Sequence, residues 1–172
     1  AFTQILFAIS SYFFPLSLIG WRMVVLFFDV VLLLCLALLL PKFGFHPNRL
    51  IVYAWSPLIL KEYINTTHVD GIALSMFFLA VLLFSTSQLG RAGAAFACSM
   101  MTKLFMLPLA PIWYRNLRGL GLGWFLIVLA IFLFLFMTPG EHETEALAHF
   151  AQRWESNSSL VRVLEQCLIW LG

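Results

Sequence analysis

The sequence predicts an all-α protein: a polytopic bundle of transmembrane helices with short broken helices and an amphipathic helix in an extracytoplasmic loop. Three observations lead to this prediction. Of the 172 residues, 62% are hydrophobic and only 10% are charged. The apolar runs are continuous, without the alternation that membrane strands require. Several runs also approach the roughly 20 residues that cross about 30 Å of hydrocarbon. Lipid is therefore the predicted solvent for most of the chain.

Prolines mark the ends of the first predicted spans. The run 1–14 is closed by Pro15, and the run 21–40 is interrupted only by Asp29 and ends at Pro41. The remaining predicted spans cover 50–63, 71–87, 92–102 with 104–114, 121–137 and 159–172, and the extracytoplasmic loop covers 138–158. We expect one transmembrane domain over 1–172. Because the chain starts without Met and stops inside an apolar run, we expect it to be a fragment of a larger membrane protein.

Lys103 divides a stretch that has two interpretations. The apolar pieces on its two sides, 92–102 and 104–114, each have about ten residues and rise only about 15 Å as helices. They form either one span with Lys103 in its middle or a hairpin of two half-length helices with Lys103 at the tip. Pro108 and Pro111 weaken the second piece as a lipid-facing helix, which favours the hairpin.

The charge distribution also favours the hairpin. With it, five cations fall in cytoplasmic loops, namely Lys42, Arg49, Arg91, Arg115 and Arg118. All of the 8 acids except Asp29 fall on or near the other side. The excess of cations in the cytoplasmic loops satisfies the positive-inside rule. A single span over 92–114 would instead place the loops that follow it on the opposite sides of the membrane. We therefore expect the polar block 61–70, the tip at Lys103 and the loop 138–158 to meet at the extracytoplasmic face.

The polar block contains the first candidate site residues, Glu62, His68 and Asp70. Charged side chains at membrane depth are costly and usually face an internal cavity with a function. The block would then hold a sugar, a phosphate or a divalent cation. In the alternative it is a solvated loop whose Asp70 caps the following helix. A His-x-Asp pattern with one Glu is not specific for a metal, so a divalent cation stays open and no cofactor is assigned.

Two further ionisable residues lie inside or beside predicted spans. Lys103 is suited to bind a lipid-linked phosphate as a compact point charge, or it extends its ammonium to the interface along its own stem. Asp29 lies about 12 Å deep in its span. We expect it to form a structural ion pair, with Arg22 seven residues earlier or with a group on a neighbouring helix.

The loop 138–158 supplies the last candidates, Arg153, Trp154 and Asn157. Residues 146–154 have apolar side chains at helical spacing, which predicts an amphipathic helix on the membrane surface. Its polar residues would contact substrate, because Arg pairs with phosphate and Trp stacks on sugar rings. In the alternative this helix is an interfacial aromatic anchor.

The order of several short motifs resembles one family. Residues 53–58 read Tyr-Ala-Trp-Ser-Pro-Leu, Glu62 follows, and residues 67–70 read Thr-His-Val-Asp. This order resembles the glycosyltransferases of the GT-C fold that use polyprenyl-phosphate sugars, which are mannosyltransferase-like integral membrane proteins, particularly the bacterial group of family 87. Its members read approximately Tyr-Ala-Trp-Asn-Pro, then Glu, then Gly-His-x-Asp, so Ser56 and Thr67 depart from the pattern. The segments 17–22, 92–108 and 148–159 are also similar to the family.

The resemblance implies an inverting transfer of a sugar from a polyprenyl phosphate to an acceptor outside a bacterial plasma membrane. His68 and Asp70 would line the site, Glu62 would support them, and Lys103 would meet the donor phosphate. The general base is expected upstream of Ala1, so no catalytic residue is assigned. The donor and the bilayer are the expected partners, and nucleic acid is not, because the chain has no basic stripe.

Two other classes compete with this interpretation. A transporter or flippase also uses broken helices around a polar cavity, although no inverted repeat is visible in the sequence. A non-catalytic membrane assembly subunit would need none of the candidate side chains.

Overall fold

A computed structural model of the chain describes residues 2–15, 17–59, 61, 67–117 and 119–136. Within these ranges the regular elements are helices and no strand occurs, which confirms the all-α prediction. The α-helices are α1 (Phe2–Phe13), α2 (Leu18–Lys42), α3 (Leu50–Ala54), α4 (Pro57–Ile59), α5 (Asp70–Ser85), α6 (Leu89–Thr102), α7 (Ala110–Asn116) and α8 (Leu120–Phe136). Short 3-10 helices occupy Pro47–Arg49 and Leu104–Leu109.

Helix α2 is long and apolar enough to cross a membrane, by its 25 residues and its composition. In the described part of the chain it is the one helix that meets both conditions, and α1, α5 and α8 are apolar but shorter. Ser17 begins α2 by accepting a hydrogen bond from the Gly20 N–H at 3.3 Å. The helix continues through Pro41 to Lys42. The predicted span 21–40 therefore lies inside α2.

Helices α2 and α5 run in the same direction. Near their starts, Ile72 of α5 packs against Val25 and Phe28 of α2. At their ends, the Lys42 Nζ donates a hydrogen bond to the Ser85 Oγ at 3.0 Å. The chain between them must therefore return along the bundle.

The returning chain includes the predicted span 50–63, which the structure shows as broken. Helix α3 ends at Ala54, and α4 begins three residues later at Pro57. Proline lacks an N–H and disfavours helical backbone in the residue before it, here Ser56. The two short helices therefore do not join.

Helix α6 runs antiparallel to α5 and parallel to α8. Its Ser99 reaches back to Ala73 of α5. The rings of Phe96 on α6 and Phe125 on α8 stack with centroids 5.7 Å apart. One turn before Phe96, a side chain on Gly93 would overlap the main-chain carbonyl of Gly121, so the two backbones touch at this point.

After α6 the chain turns back towards the start of the same helix. Lys103 has an extended backbone, with φ −154° and ψ 129°. The 3-10 segment and α7 then follow, because Pro108 and Pro111 prevent a continuous α-helix. The ring of Trp113 on α7 stacks on Phe96 of α6 at 4.7 Å. How these pieces sit in a membrane stays a prediction.

Four cations lie at one end of this bundle, which we call the basic end: Lys42, Arg49, Arg91 and Arg115. Their shared position follows from the helix directions, since α2, α5 and α7 end there and α6 begins there. The Arg49 guanidinium lies over the Phe45 ring at 4.7 Å. Among the described residues the only carboxylates are Asp29 and Asp70, and both lie in the other half. Arg118 lies outside the described residues.

Candidate functional site

An ion pair joins two of the predicted site residues at the end opposite the basic end. The Lys103 Nζ donates a hydrogen bond to the Asp70 Oδ1. Asp70 is the first residue of α5, and Lys103 directly follows the last residue of α6. The side chains are 47% exposed for Lys103 and 32% exposed for Asp70, so a ligand can reach both charged groups from outside the bundle.

A buried hydrogen bond joins α5 and α6 close to the ion pair. The Ser99 Oγ donates a hydrogen bond to the main-chain oxygen of Ala73 at 2.7 Å, and both residues are fully buried. Ala73 lies three residues after Asp70, and Ser99 lies four residues before Lys103. The pair therefore sits about one helical turn above this hydrogen bond.

The backbone that leads into α5 takes an unusual turn at Thr67. Its φ is 57°, in the left-handed region that β-branched residues rarely adopt. The Val69 carbonyl then accepts the N–H groups of Ile72 and Ala73 at 3.1 and 3.3 Å, which closes the first helical turn. His68, which directly follows Thr67, is exposed. The negative charge of Asp70 is favourable at this helix start because of the backbone dipole.

The structure thus brings Asp70 and Lys103 into contact, with His68 two residues from Asp70 at the same end. The other predicted site residues, Glu62, Arg153, Trp154 and Asn157, lie outside the described residues. Within the described ranges, no three His, Cys, Asp or Glu side chains lie close enough together to hold a metal ion.

Asp29 has a partner that the sequence did not indicate. It is 6% exposed, and its Oδ1 accepts a hydrogen bond from the Tyr53 hydroxyl of α3 at 2.6 Å. The expectation was an ion pair, with Arg22 or with a group on a neighbouring helix; the Tyr53 phenol is a neutral donor from a neighbouring helix. Arg22 shares the helix face of Asp29, but the segment that covers Asp29 comes more than 20 residues later in the chain. The only hint of this partner in the sequence was the phenol of Tyr53, the first residue of the 53–58 motif.

The pair offers two kinds of contact to a ligand. The Lys103 ammonium can neutralise an anion such as phosphate, and it carries three N–H donors. The Asp70 carboxylate can accept hydrogen bonds from hydroxyl groups. Together they suit a ligand that has a phosphate and neighbouring hydroxyls.

No protein-family model, no curated protein and no solved structure matches this chain.

Proposed function

We propose that the protein is a multi-pass membrane glycosyltransferase that moves a sugar from a polyprenyl-phosphate donor to an acceptor on the extracytoplasmic face. The observation that carries this proposal is the reachable Asp70–Lys103 pair at the end of the bundle opposite the basic end. The order of the motifs at 53–58 and 67–70 supports the same family.

The proposed membrane arrangement follows from the charges at the two ends. Cations are enriched in cytoplasmic loops, so the basic end faces the cytoplasm and the Asp70–Lys103 pair faces outward. Helix α2 spans the bilayer, and α5, α6 and α8 lie across it beside α2. The 16 residues of α5 rise about 24 Å, less than the hydrocarbon thickness. Its start at Asp70 therefore lies close to the interface, with local thinning of the bilayer around it.

The proposed reaction needs a cation where Lys103 lies. An oxygen of the acceptor hydroxyl forms a bond to the anomeric carbon, opposite the phosphate, and its proton passes to a general base. The bond from the anomeric carbon to the phosphate oxygen breaks, and its electron pair leaves with the polyprenyl phosphate. The departing phosphate gains negative charge, which the ammonium of Lys103 stabilises. Asp70 holds that ammonium in place before the donor binds. We assign the base to none of the described residues.

The backbone at Thr67 supports the family assignment. The resembling proteins have glycine at the equivalent of this position, and glycine is the residue that adopts a positive φ without strain. Thr67 takes that conformation, with φ 57°. The local fold expected for a glycine is therefore retained although the residue differs.

Transfer of a labelled sugar from a polyprenyl-phosphate donor in membrane vesicles tests this function. Lys103→Met should lower turnover at least about 100-fold, the usual effect of removing one group that stabilises transition-state charge. Asp70→Asn should also lower turnover, because the ammonium is then no longer held in place. Lys42→Met is the matched control, because Lys42 also donates to one side-chain oxygen but lies at the basic end. Normal turnover in both site variants, at normal expression, would refute the proposal.

Accessibility to a membrane-impermeant maleimide tests the proposed topology separately. His68 and Gln88 are exposed and lie at opposite ends of the bundle. In a background without native cysteines, His68→Cys should react in intact cells, and Gln88→Cys should react only after permeabilisation. Equal labelling of both in intact cells would contradict an arrangement across the membrane.

A second candidate function, transport coupled to an ion, is favoured by Asp29. A carboxylate buried within a spanning helix is a common feature of proton and ion pathways. It is held here by the Tyr53 hydroxyl at 2.6 Å. A transporter would lose coupled uptake in Asp29→Asn, whereas the proposed transferase would keep its sugar transfer in that variant.

A further inference from the structure

A cleft at the basic end lies between the first turns of α6 and α8. Its volume is about 680 Å³. Its lining includes Gln88 and Arg91 at the start of α6, Ala94 one turn further, and Trp124 of α8. It is remote from the Asp70–Lys103 pair, because α6 starts at this cleft and Lys103 follows its last residue. The proposed transfer reaction does not use it.

Trp124 forms one wall of the cleft through a close contact with Gly90. A side chain on Gly90 would place its Cβ 2.9 Å from the Trp124 Cδ1 and 3.4 Å from its Nε1. Glycine therefore lets the indole lie directly on the backbone of α6, with its N–H edge beside the first turn of that helix. Trp124 is still 50% exposed, as a side chain in contact with a bilayer interface would be.

Arg91 provides the charge of the cleft. Its Nη1 donates a hydrogen bond to the Gln88 Oε1 at 2.8 Å, which orients the guanidinium at the mouth. A guanidinium carries five N–H donors, and this bond uses one of them. Both described carboxylates lie in the other half of the bundle, so the described cations of this end attract an anion.

We propose that this cleft binds an anionic phospholipid of the cytoplasmic leaflet. The Arg91 guanidinium and the Trp124 indole N–H bind the lipid phosphate, and one acyl chain lies against Ala94 and the indole ring. We infer this ligand from the lining, because a cation and apolar side chains lie side by side in the same cleft. Basic pockets between helices on the cytoplasmic side are suited to anionic headgroups.

Native mass spectrometry of the full chain in detergent, titrated with phosphatidylglycerol or phosphatidylcholine, tests the proposal. Arg91→Ala should weaken phosphatidylglycerol binding about tenfold, which equals about 1.4 kcal/mol, and leave phosphatidylcholine binding unchanged. Arg49→Ala is the matched control, because Arg49 is a cation of the same end that lies over Phe45 outside the cleft. It should bind phosphatidylglycerol as the wild type does.

A second variant keeps the charge and fills the space. Ala94→Leu should also weaken phosphatidylglycerol binding, because the larger side chain occupies the position of the acyl chain. Glycerol phosphate at millimolar concentration should not displace the lipid, since it lacks acyl chains. Wild-type affinity in Arg91→Ala, an equal loss in Arg49→Ala, or displacement by glycerol phosphate would each overturn the proposal. None of these outcomes bears on sugar transfer, because the Asp70–Lys103 pair is at the other end.

Discussion

The Ser99 hydroxyl of α6 donates a hydrogen bond to the main-chain oxygen of Ala73 on α5, at 2.7 Å, with both residues fully buried. This contact sets the axial position of one helix relative to the other. A slide of α6 by one residue would shift Lys103 by about 1.5 Å and turn it by about 100° around the helix. We therefore expect the contact between Lys103 and Asp70 to depend in part on a hydroxyl that touches neither of them.

Ser99→Ala should therefore lower the free energy of unfolding by about 1 kcal/mol, the usual net value of such a hydrogen bond. It should also lower sugar transfer, because the ion pair above it loses its support. Thr102→Ala is the control, since the Thr102 hydroxyl only bonds the Cys98 carbonyl of its own helix, at 2.8 Å. Thermal unfolding in detergent and turnover in vesicles measure the two effects. An equal loss in the free energy of unfolding in both variants would show that the hydrogen bond between the helices contributes no more than one within a helix.

The ion pair itself should matter little for stability. Because both side chains are substantially exposed, we expect a coupling energy of at most about 1 kcal/mol in a double-mutant cycle of Asp70→Asn and Lys103→Met. The exchange variant Asp70→Lys with Lys103→Asp should unfold at a slightly lower temperature than the wild type, because each charge then opposes a helix dipole. It should fail to transfer sugar, because its ammonium has moved to α5. Normal transfer by this exchange variant would mean that the pair serves the fold alone.

Gly93→Ala should destabilise the contact between α6 and α8. The added methyl would overlap the Gly121 carbonyl, and overpacking of this kind costs about 1–3 kcal/mol. Gly123→Ala on α8 is the matched control, because nothing lies within 4 Å of a Cβ at that position. It should be neutral or stabilising, since alanine favours helix over glycine by up to about 1 kcal/mol. The unfolding temperature should fall in Gly93→Ala and stay unchanged or rise in Gly123→Ala. A similar fall in both variants would argue against the backbone contact.

Tyr53→Phe should be more costly than the loss of one exposed hydrogen bond. It leaves the buried Asp29 carboxylate without the donor at 2.6 Å, and an unsatisfied buried group costs about 1–3 kcal/mol. The double variant with Asp29→Leu should recover part of the stability, because the group that needs the donor is then gone. Chemical denaturation of the two single variants and the double variant measures this coupling. Strictly additive losses would show that the two groups do not depend on each other.

Position 67 should prefer glycine over alanine. Both Thr67→Gly and Thr67→Ala remove the threonine side chain, so the comparison isolates the backbone conformation at φ 57°. An L-residue in this region costs about 1 kcal/mol relative to glycine. Thr67→Gly should accordingly unfold at a higher temperature than Thr67→Ala and keep full transfer activity. The reverse order of the two unfolding temperatures would remove this support for the family assignment.

The helical class and the meeting of Asp70 with Lys103 at one end of the bundle could be predicted from simple chemistry. Long apolar runs have to satisfy their backbone internally, which requires helices in lipid. We predicted the separation of Asp70 and Lys103 from the basic end from the bias of cations towards one side of a membrane. The roles of these two side chains in a reaction stay predictions.

Other features depended on contacts that no local pattern contains. The break at Ser56 is an exception, because its cause, Pro57, stands next to it in the sequence. The Asp29–Tyr53 bond joins residues 24 positions apart. Helical spacing could only suggest Arg22, because it describes one helix at a time. Trp124 against Gly90 likewise depends on how closely α8 approaches α6.

The backbone contact at Gly93 also constrains how this protein can change over evolutionary time. Lys103 has room to change, because its side chain is 47% exposed at the end of the bundle. Position 93 has no such freedom, since even a single methyl group meets the neighbouring main chain. Distant relatives with a different chemistry would therefore still carry glycine there, and this small residue would trace their common ancestry better than the charged ones.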